Sequence, residues 1–135
     1  MRRVFLVLML AAGLAVFIGS SPAGATINQF SVDRNATLAP GGTAVTLTGT
    51  ITCATGDTFF IQGEVFQQKN SAQGQNTNTT SPSCSGSSQT WQLTAHVQVG
   101  QSGPFHPGKA SASATAGTCC ATQTNETVGT VVQLH

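Results

Sequence analysis

AVTLTGTITC, residues 44–53, puts Val45, Leu47, Gly49, Ile51 and Cys53 on one side of an extended chain. Thr46, Thr48, Thr50 and Thr52 fall on the other side. A period of two marks a strand with one buried face, and β-branched threonine packs well on the pleated outer surface. TWQLTAHVQV, residues 90–99, repeats the pattern with Trp91, Leu93, Ala95, Val97 and Val99 inward. KASASATA (109–116) sets Ala110, Ala112, Ala114 and Ala116 on one face, small enough to pack against Trp91. TFFIQGEVF (58–66) is read with Phe59, Ile61, Gly63 and Val65 inward. VGTVVQL (128–134) closes the chain as a strand, and INQFSV (27–32) opens it more weakly. The expected core therefore includes Val45, Leu47, Ile51, Trp91, Leu93 and Val97.

Gly and Pro punctuate these runs at APGG (39–42), ATGD (54–57) and GPFHPG (103–108). No segment has helical periodicity. Short strands at regular spacing point to an all-β protein, and the expected architecture is an immunoglobulin-like antiparallel β-sandwich of about seven strands. In that order 44–53 lies beside 90–99 in one sheet, and 58–66, 109–116 and 128–134 form the other. Residues 67–83 have no large apolar side chain and read as a polar edge strand near 74–80 or a loop.

The chain begins with Arg2-Arg3, an apolar run from Val4 to Ile18, and Ala23-Gly24-Ala25. These are the three parts of a secretory signal peptide. The apolar run, about fifteen residues, is shorter than the roughly 20 that a spanning helix needs. Residues 1–25 are expected to be removed, leaving 26–135 as one domain. That cut leaves 110 of the 135 residues and turns a formal charge of +1 into −1 by removing Arg2 and Arg3. Without a basic patch, nucleic acid is not an expected partner, nor is stable membrane insertion after cleavage.

All four cysteines survive the cut, and export implies oxidation. The sandwich order gathers Cys53, Cys84, Cys119 and Cys120 at one pole. Of three pairings, Cys53–Cys84 ranks first, closing a loop worth about 3–4 kcal/mol on the chain-entropy model. Cys119 and Cys120 then form either a strained vicinal bond or a reactive dithiol, since adjacent Cα atoms sit about 3.8 Å apart and disulfides usually need roughly 4.4–6.8 Å. The crossed pairings, which would staple the loop after residue 116 to the other sheet, stay open.

Gly49-Thr-Ile-Thr-Cys53, Cys84-Ser-Gly-Ser-Ser-Gln-Thr-Trp91 and Phe105-His-Pro-Gly-Lys-Ala110 resemble the motifs of a group of small secreted bacterial immunoglobulin-like domain proteins of unassigned function. The resemblance covers most of 44–134. It implies the fold and the Cys53–Cys84 pairing and carries no activity, and the adjacent Cys119-Cys120 departs from it.

Catalytic motifs are missing: no Gly-x-Ser-x-Gly elbow, P-loop or His-Glu-x-x-His occurs. Asp33, Asp57, Glu64 and Glu126 are not brought together by any motif, so no catalytic residue, cofactor or metal ligand is assigned. His96 and His106 lack the spacing of a metal site. Asn35-Ala36-Thr37, Asn78-Thr79-Thr80 and Asn125-Glu126-Thr127 fit the glycosylation pattern and read as surface loops. The expected function is a secreted, monomeric, non-enzymatic module that binds an extracellular protein or glycan. A small-molecule carrier resembling chromoprotein apoproteins is the alternative, and an extracellular enzyme ranks last.

Overall fold

Eight strands and one 3-10 turn make up the computed structural model, which describes residues 27–68, 70–75, 82–97, 104–120 and 124–135. The expected signal peptide and its cleavage point, Val99, and Asn78-Thr79-Thr80 lie outside the described residues. The strands are β1 (Ile27–Val32), β2 (Asn35–Leu38), β3 (Ala44–Cys53), β4 (Thr58–Gln67), β5 (Asn70–Gln75), β6 (Ser88–Val97), β7 (Gly108–Cys119) and β8 (Asn125–Leu134). β3 pairs antiparallel with β6 from Ala44↔His96 to Thr52↔Ser88, and β7 pairs antiparallel with both β4 and β8. These neighbours match the order expected from the sequence.

The edges, however, meet. β3, β2, β8, β7, β4, β5 and β6 form a closed ring, with β1 added on β3, so the molecule is a seven-strand β-barrel and not an open immunoglobulin-like sandwich. Two short bridges cause the closure. On one side β1 and β2 share the same edge of β3, and β2 then turns to pair parallel with β8 through Asn35↔Gln133 and Ala36↔Leu134. The switch falls at Asp33 and Arg34: the Asp33 N–H donates to the Thr48 carbonyl, whereas the Arg34 carbonyl accepts from the Gln133 N–H. On the other side β5, a hairpin partner of β4, reaches β6 through Ala72↔Val97 and Gln73↔His96. Gly74 permits that approach, because a Cβ there would run into the Thr94 carbonyl oxygen.

Alternation places the core as the sequence implies. Val45, Leu47, Ile51, Trp91, Leu93 and the four alanines of β7 are buried, joined by Phe59, Ile61, Val65, Val132 and Leu134. Val97 is half-buried against this cluster. Trp91 lies opposite Gly49, its ring filling the space a side chain there would take. Its Nε1–H donates to the carbonyls of Ser31 and Thr50, at 3.1 and 3.3 Å. Phe105, 2% exposed, packs into the core, its N–H bonded to the Gly42 carbonyl.

Candidate binding face

Strand β4 buries Phe59, Ile61 and Val65, so its alternate residues Phe60, Gln62, Glu64 and Phe66 point away from the core. Register extends each of them into a row across β5, β4, β7 and β8. Ser71, Phe66, Ser111 and Val131 form the first row, and Gln73, Glu64, Ser113 and Gly129 the second. Gln62, Thr115 and Thr127 continue into the third, and Phe60, Gly117 and Asn125 make the fourth. Six residues of extended chain put Phe60 and Phe66 about 20 Å apart along the strand.

Between these two rows lies a hollow of about 460 Å³, lined by Gln62, Gly63, Glu64, Gln73, Gly74, Ser113 and Thr115. Its side chains are amides, hydroxyls and one carboxylate. Ser113 Oγ donates to Glu64 Oε1 at 3.3 Å, and Thr115 and Thr127 share a 2.8 Å hydroxyl bond. At one end the Phe60 ring rests on the backbone of Gly117, where any Cβ would collide with it. At the other end stand Phe66 and Val131. Phe60, Phe66 and Val131, at 40%, 46% and 57% exposure, are the exposed large hydrophobic residues among those described, and all three belong to this face.

The opposite face differs. Its threonine rows bond among themselves: Thr46 with Thr94 at 3.3 Å, Thr50 with Ser31 at 2.8 Å, and Thr48 donating to Asp33 Oδ2 at 2.7 Å. No exposed large apolar side chain accompanies them among the described residues.

The cysteines occupy the pole where β3 and β7 end. Cys53 and Cys84 form a disulfide with Cα atoms 5.3 Å apart. The Cys84 N–H donates to the Asp57 carbonyl, and Thr58 bridges Ser83 on one side and pairs with Cys119 on the other. Cys119 and Cys120 are both free thiols, half-buried and exposed respectively, and neither is stapled to the opposite side of the barrel. Their sulfurs lie 2.7 Å apart, and Thr58 Oγ1 lies 3.1 Å from Cys119 Sγ. Hydrogen bonds from Cys120 and then Thr58 hold the Cys119 thiol below the usual thiol range. The contact with Cys119 pushes Cys120 above it.

The His106 backbone is held by the Gln67 side chain, which accepts from the His106 N–H and donates to its carbonyl, both at 2.8 Å. Among the described residues no three His, Cys, Asp or Glu side chains gather to hold a metal ion. Asn35 and Asn125 lie in β2 and at the start of β8, not in loops, and Asn35 Oδ1 sits 3.2 Å from the His135 ring. Phe60 and Phe66 are the residues that sequence reasoning passed over. The available signal was their phase: a strand whose inner face already holds Phe59, Ile61 and Val65 has no packing need for two more phenylalanines outside.

A closed ladder with a disulfide at one pole, carrying a hollow of about 560 Å³ on its threonine face and a polar trough between apolar ends on the other, makes this a small disulfide-stapled all-β barrel. A family model described as a family of unknown function, DUF6299, matches residues 26–124, and the chain belongs to that family. Neither the curated proteins nor the solved structures gave a match.

Proposed function

We propose that this protein is an exported bacterial binding module, monomeric and non-enzymatic, whose ligand is a neutral glycan lying along the outer face of β5, β4, β7 and β8. The observation that carries the reading is the gathering of Phe60, Phe66 and Val131 on one face, at the two ends of a hollow lined by amides and hydroxyls. Exposed aromatic rings on either side of amides and hydroxyls offer a ligand both apolar and hydrogen-bonding contacts. A sugar has the complementary chemistry: C–H faces that pack on an aromatic ring, and hydroxyls that both donate and accept. Gln62 and Gln73 can do both, Ser113 and Thr115 likewise, and Glu64 accepts. With a carboxylate in the hollow and a mature charge of −1, an anionic ligand would be repelled.

Export is supported by the three-part leader and by a family match that starts at residue 26, the first residue of the expected mature chain. The Cys53–Cys84 bond suits an oxidising compartment. A small-molecule carrier is the second reading, because about 460 Å³ falls within the usual size of small-ligand sites. The lining argues against it, since such sites are mostly apolar.

Affinity electrophoresis of the mature protein through gels containing neutral polysaccharides tests the proposal. At least one should retard the wild type, and Phe66→Ala and Gln62→Ala should each abolish the retardation without altering the melting temperature. Retardation by none, or retardation that survives both substitutions, would remove the face from consideration. A co-purified chromophore or small mass would instead favour the carrier.

A further inference from the structure

Cys119-Cys120 ends β7 on the rim of the disulfide pole, and the glycan face makes no use of it. Cys120 has φ 96°, in the left-handed region that a residue with a Cβ rarely adopts. Strain of this kind persists where surrounding structure enforces it, and it concentrates at functional sites. Here it accompanies a specific result, the 2.7 Å approach of the two sulfurs beside the Thr58 hydroxyl. That separation does not suit a shared metal ion, because two thiolates about 2.3 Å from a tetrahedral zinc would stand about 3.8 Å apart. It is closer to the S–S bond length of about 2.05 Å. The pair is poised for bond formation between its own sulfurs.

We propose that Cys119-Cys120 is a thiol–disulfide exchange site whose substrates are low-molecular-weight disulfides. Cys119 is the attacking thiolate. The Cys120 S–H and the Thr58 O–H both donate to it, which lowers its proton affinity and leaves Cys120 holding its own proton. Cys119 Sγ attacks one sulfur of R–S–S–R, forming a mixed disulfide and expelling RS⁻. Cys120 passes its proton to that leaving group, and its sulfur attacks Cys119 Sγ. The vicinal bond forms, and the second RS⁻ leaves and takes a proton from solvent. Two electrons pass from the pair to the substrate, giving one ring and two RSH. Adjacent Cα atoms about 3.8 Å apart strain such a ring, so it is reopened readily by thiols, and the site can cycle. The Cys53–Cys84 bond does not compete, because those residues are 0% and 4% exposed. Thr58 is a positioning residue, acting through Cys119.

The test uses the mature chain and glutathione disulfide, followed by alkylation and peptide mapping. Wild type should yield a vicinal disulfide in the peptide carrying residues 119 and 120, with two glutathione molecules released per chain. Cys120→Ser should stop at a glutathione adduct on Cys119. Cys119→Ser should react more slowly, by roughly three- to fourfold for each pKa unit separating the two thiols, since the gain in thiolate fraction is partly offset by lower nucleophilicity. Adding Thr58→Val to Cys120→Ser should slow adduct formation and shift its pH profile upward. The proposal is overturned if wild type carries a separate adduct on each sulfur, if it does not react, or if the two single-serine variants react equally fast. The ring-or-adduct outcome is read on wild type, so it does not depend on any variant folding.

Discussion

Replacing Trp91 by alanine removes the largest side chain in the barrel. Trp91 is 4% exposed, lies against Gly49, and sits 5.6 Å from the Phe30 ring centre at a 31° tilt. A buried aromatic covers about 150–250 Å². At about 25 cal/mol per Å² this is worth roughly 4–6 kcal/mol, an upper bound because the unfolded chain already shields part of it. Measured truncations of large buried aromatics cost about 3–5 kcal/mol. Phe30 can lean into part of the space, so about 4 kcal/mol is expected, a large share of the roughly 5–15 kcal/mol that holds a typical domain together. Trp91→Phe keeps most of the packing and loses the two Nε1–H donations, for about 1–2 kcal/mol. Trp91 is the chain's single tryptophan, so unfolding must be followed by circular dichroism rather than its fluorescence. With a urea slope of about 1–2 kcal/mol/M, the alanine midpoint should fall by about 2–4 M. A fall worth less than about 1 kcal/mol, at unchanged slope, would mean that burial of Trp91 does not organise this core.

Cys53→Ser opens a loop with a sequence separation of 31 and should cost about 3.5 kcal/mol, measured by denaturant titration beside the wild type under non-reducing conditions. Gly74→Ala drives a Cβ into the Thr94 carbonyl and should cost about 1–3 kcal/mol. Hydrogen exchange should show protection lost at the β5–β6 bridge while the β3–β6 ladder stays protected. Cys119 is held below the usual thiol range and Cys120 above it, so as pH falls Cys119 keeps its thiolate longer. Iodoacetamide should therefore label Cys119 ahead of Cys120 just below the normal thiol pKa; equal labelling would contradict the assigned asymmetry.

How far the sequence reaches differs from strand to strand. β3 was legible to the residue, because alternation of Val, Leu and Ile with threonine is unbroken from Ala44 to Cys53. The expected strand at 90–99 begins two residues late, since alternation fixes which face a residue takes and not where pairing starts; β6 starts at Ser88 and is described to Val97. β2 has only four residues, with Ala36 buried, too little apolar signal to register as a strand. β5 is equally faint, with Ala72 its buried hydrophobic residue. These two weak strands are the ones that close the barrel. The open sandwich was therefore the expectation, because the strong strands alone describe two sheets and say nothing about their edges. The candidate face was half legible: the outward phase of Phe60 and Phe66 is in the sequence, whereas their alignment with Val131 and the amides of Gln62 and Gln73 is set by register. The gathering of cysteines at one pole followed from strand direction, but the left-handed backbone of Cys120 has no local sequence signal.

The most direct test of the glycan face is a two-dimensional NMR titration of the ¹⁵N-labelled mature protein with a neutral oligosaccharide obtained from a retarding polysaccharide. Amide shifts should move in β4, β5 and β7, centred on Gln62, Glu64, Gln73, Ser113 and Thr115, with the Phe60 and Phe66 ring signals moving too. The threonine rows of β3 and β6 should stay still. Shifts confined to the threonine face, or spread evenly over the barrel, would contradict the account.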